Sequence, residues 1–156
     1  MNEVKERVFV IQPIESDNYR VLQEEAVALI ESANADYAGT VYQKIREVNP
    51  ATYIGEGKAE EIREMLTGLD VTVLFNGELS PSQTLNLSAA LDGRKVIDRT
   101  TLILDIFAMR AESSEGKIQV ELAQLKYLYP RLRGKGEALS RLGGGIGTRG
   151  PGETQL

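Results

Sequence analysis

Residues Gly143-Gly144-Gly145-Ile146-Gly147-Thr148-Arg149-Gly150 have the composition of a phosphate-binding loop. Their order excludes the two best-defined kinds. A triphosphate loop ends in Gly-Lys-Ser or Gly-Lys-Thr, whose lysine and hydroxyl hold the phosphates and Mg2+. Here Gly147 is followed by Thr148-Arg149, with no lysine. A dinucleotide fingerprint needs a strand before the glycines and an acidic residue about 20 positions later; neither is present. What remains is backbone N–H groups flanked by arginine. Such a segment moulds onto an RNA backbone or acts as a hinge.

Two further groups invite chemistry. Gly55, Gly57 and Lys58, in the run Gly55-Glu56-Gly57-Lys58, stand at the expected entry to a helix, where free N–H groups attract anions. Two glycines at a tight turn also need no ligand. The carboxylates Asp98, Asp105, Glu112, Glu115 and Glu121 share one segment, and paired acids serve acid–base chemistry or Mg2+. No partner group converges on them in sequence. Helix capping, or ion pairing with nearby Arg99 and Arg110, is the expectation. With 0 Cys and 0 His in 156 residues, disulfides, cysteine and histidine metal sites, cysteine nucleophiles and Ser-His-Asp triads are excluded. No catalytic residue and no metal site is assigned.

The elements that position these groups are read from apolar spacing. Arg7–Gln12 reads as a strand ended by Pro13. Ser16 or Asp17 is placed to cap a helix carrying Leu22, Ala26, Leu29, Ile30 and Ala33 on one face. Asp36–Val48 reads as extended. After Gly55–Lys58 a helix should turn Ala59, Ile62, Met65 and Leu66 inward. Val71–Phe75 is an apolar run expected of a buried strand. Ser80-Pro81-Ser82-Gln83 is a helix start with Ser at N-cap, Pro at N1 and Gln at N3. Lys95–Ile97 is a short strand, and Thr100 or Thr101 is placed to cap a helix over Leu102–Ala111. Strands alternating with helices predict an α/β fold with a small, mostly parallel sheet flanked by helices.

Beyond it, Ile118, Leu122, Leu125, Leu128 and Leu132 trace a stripe at helical spacing, widened by Val120, Ala123 and Tyr127. Its first half is compatible with packing on the sheet, and Pro130 should kink or end the helix. Residues 134–152 then hold 8 of the 15 glycines, too little side chain for a core. The final Pro151-to-Leu156 run reads as the opening of a helix cut short.

Charge follows the same division. Residues 1–110 hold 11 basic and 18 acidic residues, a net of −7, whereas residues 111–156 hold 7 and 5, a net of +2. A basic, glycine-rich end on an acidic body suits a polyanion, whose counterions Arg and Lys release; a solvated basic loop has the same signature. No apolar run is long enough to span a bilayer and the N-terminus lacks signal-peptide character, so a cytoplasmic location is expected.

The stretches Tyr53–Ile62, Asn76–Gln83, Val96–Ala111, Glu115–Leu125 (EGKIQVELAQL) and Gly143–Leu156 (GGGIGTRGPGETQL) together resemble the N-terminal region of the HflX family of ribosome-associated GTPases. The resemblance runs from about Arg7 to Leu156 in the family's order. It implies an N-terminal α/β subdomain over residues 1–111. It further implies, over residues 112–156, the first arm, glycine-rich tip and start of the returning arm of a long helical hairpin. A G domain that holds GTP and Mg2+ would follow, and none of its nucleotide-binding motifs occurs in this chain. The resemblance implies binding to the large ribosomal subunit and help in splitting 70S ribosomes. Arg131, Arg133, Lys135, Arg141 and Arg149 would contact 23S rRNA, with Gly143, Gly144, Gly145 and Gly147 letting the tip conform to it. The alternatives from other classes are an ATP- or GTP-binding α/β domain and a regulator of the neighbouring G domain. An arm with its return missing leaves an apolar stripe on which two copies pair.

Overall fold

A computed structural model describes residues 4–132. The glycine-rich segment and Arg133, Lys135, Arg141 and Arg149 lie outside the described residues.

Nine elements follow in order: β1 (Arg7–Ile14), α1 (Tyr19–Ser32), β2 (Asp36–Lys44), α2 (Glu56–Met65), β3 (Thr72–Phe75), α3 (Pro81–Ala90), β4 (Val96–Asp98), α4 (Arg99–Arg110) and α5 (Ser114–Leu132). The four strands form one sheet in the order β2-β1-β3-β4, every pair parallel. The α/β expectation therefore holds, with a long helix appended.

Alternation along β1 divides the core in two. Val8 and Val10 face Ala26, Ile30, Leu74, Ile97, Leu102 and Ile106, which places α1 and α4 on that face. Phe9 and Ile11 face Ile54, Ile62, Leu66, Val73, Phe75, Leu87 and Leu91, which places α2 and α3 on the other. Right-handed crossovers require α1 on one face and α2 and α3 on the other. The chain moves one way through the sheet from β1 to β2, and the other way from β2 to β3 and on to β4. Its crossover helices change face accordingly. Gly39, at φ +132°, makes room for the Phe9 ring, and the β1–β2 register shifts between Val8 and Phe9.

Some boundaries differ from the sequence expectation. β1 runs through Pro13 to Ile14, pairing with Gln43 and Lys44. The Ile11 carbonyl points toward β3, accepting from Asn76 N at 3.0 Å, so Pro13 turns its nitrogen the same way, beyond the end of β3. The N–H that proline lacks has no ladder partner there. Asn18, not Ser16 or Asp17, is the N-cap of α1, and it makes no capping hydrogen bond. Met65 is exposed on α2, while Ala59, Ile62 and Leu66 are buried as expected. The Ser80 start is a complete capping box.

The largest difference concerns α5. It lies mainly against α3 and α4, reaching the sheet at Asp98, the last residue of β4, and it continues past Pro130 to Leu132. Ile118, Leu122 and Leu125 are 57, 51 and 56% exposed. The residues turned inward are Gly116, Val120, Ala123, Gln124, Tyr127, Leu128 and Arg131. At about 100° per residue this face is centred roughly half a turn from Ile118, Leu122 and Leu125, with Leu128 at its edge.

Candidate functional site

The best-built polar centre among the described residues sits where β4 becomes α4. Asp98 ends the strand and is the N-cap of the helix. This is the role expected of Thr100 or Thr101. Asp98 takes it because its side chain, at the N-cap, reaches the N–H three residues on. Its Oδ1 accepts from the Thr101 backbone N–H at 3.1 Å and from Thr101 Oγ1 at 2.9 Å. Its Oδ2 accepts from the Leu79 backbone N–H at 3.1 Å and from the Tyr127 hydroxyl. Asp98 is only 2% exposed. A buried carboxylate is tolerable because donors surround it.

Arg131 supplies the opposite charge. Its Nη2 lies 3.8 Å from Asp98 Oδ2 and donates to the Leu79 carbonyl, while Nη1 donates to the Tyr127 carbonyl at 2.8 Å. The guanidinium lies 3.6 Å from the centroid of the Tyr127 ring. Arg131 is 9% exposed. This placement differs from a phosphate-facing arginine: the nearest anion is the protein's own. Burial, then the hydrogen bond to Asp98, pushes the Tyr127 phenol well above its ordinary range, so it remains a donor. One turn back, Gln124 Nε2 donates to Asp105 Oδ1 at 3.2 Å. The cavity beside the cluster, bordered by Thr84, Thr101 and Leu128, is about 10 Å³. That is room for one water at most, so the cluster is a joint between elements rather than a ligand pocket.

The second centre occupies the position where a parallel sheet of this order most often takes a ligand, the C-terminal ends of β1 and β3. Here the polar groups answer one another. Asn76 Nδ2 donates to Gln12 Oε1 at 2.6 Å and to the Leu22 carbonyl at 2.9 Å, and its Oδ1 accepts from Arg99 Nη1 at 3.1 Å. Arg99 also pairs with Glu25 at 2.8 Å. A Cβ on Gly77 would lie 2.9 Å from the Phe75 ring, so the turn after β3 closes tightly over its own strand.

Gly55 is the N-cap of α2, and Gly57 and Lys58 lie in its exposed first turn. A Cβ on either glycine would meet nothing within 4 Å. Glu56 places a carboxylate in that turn, and Lys58 pairs with Glu61 at 3.4 Å. Residue types alone did not single out Tyr127 for this work. The available signal was its spacing with Arg131 on one face. No cluster of three or more His, Cys, Asp or Glu suited to a metal occurs among the described residues. No helix there is long and apolar enough to cross a membrane.

Comparison with known proteins agrees with this architecture. Residues 21–108 match the family described as GTP-binding GTPase N-terminal, and residues 110–156 match the GTP-binding GTPase middle region. The chain is 57% identical to GTPase HflX of Alkalihalophilus pseudofirmus over 85% of its own length and 31% of that protein's. It is 48% identical to GTPase HflX of Lacrimispora saccharolytica over 100% of its length and 37% of that protein's. Against GTPase HflX of Escherichia coli the identity is 50%, over 85% of this chain and 31% of that protein. The chain thus spans about a third of the length of these curated relatives. A GTP-binding protein from Sulfolobus solfataricus, solved in complex with GDP, superimposes with a TM-score of 0.63. That match is at 30% identity and covers 82% of this chain and 38% of that one. An all-parallel four-stranded sheet with a long helix seated beside β4, matched along the chain by both family regions, makes this chain a member of the HflX family of GTPases.

Proposed function

We propose that this chain is the ribosome-binding module of an HflX-type GTPase, noncatalytic in itself. In the parent protein, a G domain beyond the span of this chain binds GTP with Mg2+ and supplies the switch. This chain holds the parent on the large ribosomal subunit and helps split 70S ribosomes. The observation that carries the reading is the charge step along the sequence. A body of net −7 leads into a segment with Arg133, Lys135, Arg141 and Arg149 against the single acid Glu137. Those cations neutralise rRNA phosphates, and the interspersed Gly143, Gly144, Gly145 and Gly147 let backbone amides approach the same surface. Arg131, held by Asp98, is left out of that set.

The body contributes position. Asp98, Tyr127 and Arg131 bond to one another and to Leu79, so the body supports the end of α5 next to the basic segment. The test is co-sedimentation of the full chain with purified 50S subunits, beside a version ending at Leu132. Binding by the full chain and its loss in the shorter one support the reading. Equal binding by both would move the interface to the body.

A further inference from the structure

We infer that Asp98, Tyr127 and Arg131 form a latch that sets the direction of the arm, with Arg131 acting as a positioning residue. The bonds close into a circuit through three distant segments. The Leu79 N–H donates to Asp98, and the Leu79 carbonyl accepts from Arg131. The Tyr127 hydroxyl donates to Asp98, and the Tyr127 carbonyl accepts from Arg131. The loop before α3, the β4–α4 junction and the end of α5 are thereby tied at one carboxylate. The latch sits in the last described turn, immediately before the basic segment begins at Arg133. Pro130 lies in the same turn and withholds the N–H that would bond the Lys126 carbonyl. The backbone ladder is thinnest where the side-chain circuit crosses it. Arg131 Nε is buried without a hydrogen-bond partner, so only the remaining bonds repay the desolvation of this side chain.

The latch itself stands on the geometry; its consequence for the ribosome rests on the function proposed above. Two measurements keep them apart. Amide hydrogen exchange is followed in the full chain for the native sequence, Tyr127→Phe and Arg131→Met. The latch predicts exchange about tenfold faster across the last two described turns of α5 in both variants, with β1 and β3 amides unchanged. Unchanged exchange in α5 overturns it. Should Arg131→Met also expose β1 and β3, Tyr127→Phe, which removes a single oxygen, decides. The second measurement is the salt dependence of 50S binding. The latch predicts weaker binding in both variants with the native slope. A slope lower by about 0.7–0.9, the value of one phosphate contact, in Arg131→Met alone would make Arg131 an rRNA ligand and overturn its positioning role. If the native chain does not bind 50S subunits, the functional proposal falls, and hydrogen exchange alone judges the latch.

Discussion

On the side of α5 that meets α3 and α4, the long side chains are Gln124, Tyr127, Leu128 and Arg131; on the opposite side they are Ile118, Leu122, Leu125 and Tyr129. A surface helix ordinarily turns its apolar stripe inward. Here the inward face begins with small residues, Gly116, Val120 and Ala123, and ends in a charged cluster seated on Asp98. Small side chains let the helix approach α4 closely, and the polar circuit then fixes its register on Asp98. What the contrast teaches is that the seat of the arm is specified by hydrogen bonding, whereas its outer face is an apolar surface of the kind that a further segment or partner covers.

The largest expected effect is at the seat. Asp98→Ala removes the cap of α4, strands the Leu79 and Tyr127 donors and leaves Arg131 buried without its anion. We expect a loss of about 3–5 kcal/mol, read from urea denaturation. A loss under 1 kcal/mol would mean that the inner face is held by packing alone. Within the body, Ser80→Ala should cost about 1 kcal/mol by opening the capping box of α3, while leaving exchange in α5 unchanged.

A pH series sharpens the same comparison. The Tyr53 phenol, which donates to Glu15 at 2.7 Å, is pushed up to about 12 by burial and then by that carboxylate. The Tyr127 phenol is raised as well. Both stand above the unfolded value of about 10, so their contribution is whole below that pH and lost as pH rises toward 12 and beyond. The native chain should lose stability from about pH 10 upward, and a Tyr53→Phe, Tyr127→Phe double variant should lose less. Equal losses would contradict the donor role of both phenols.

The smallest effect belongs to the outer face. Replacing Ile118, Leu122 and Leu125 together with Gln should change the stability read from urea denaturation by no more than about 0.5 kcal/mol, because each of these residues is more than half exposed. Sedimentation velocity on the same variant reads any self-association through the stripe. A loss above 2 kcal/mol would mean that this face is covered within the chain.

Much of the body was legible in its residues. Continuous apolar runs such as Val71–Phe75 can be buried on both faces, and Ser80-Pro81-Ser82-Gln83 admits few structures other than a helix start. Boundaries shifted where a local rule met a tertiary fact: Pro13 continues β1 because β3 has already ended beside it. The seat was less legible. Asp98 lies 29 residues from Tyr127, and only the folding of β4 onto β3 and of α5 back along α4 brings them together. The apolar stripe on α5 held in part: Val120, Ala123, Tyr127 and Leu128 turn inward, whereas Ile118, Leu122 and Leu125 face out, since spacing reports a stripe but not what lies opposite it. Composition counts Arg131 as a cation without showing Asp98, the internal anion that it meets in the fold.

The central claim is that the basic segment beyond α5 grips ribosomal RNA while the seat holds it in place. Its most direct test is the salt dependence of 50S binding by a variant carrying Arg133→Ala, Lys135→Ala and Arg141→Ala. The account predicts weaker binding and a slope of log affinity against log salt that is shallower by about two to three. Unchanged affinity and slope would contradict it.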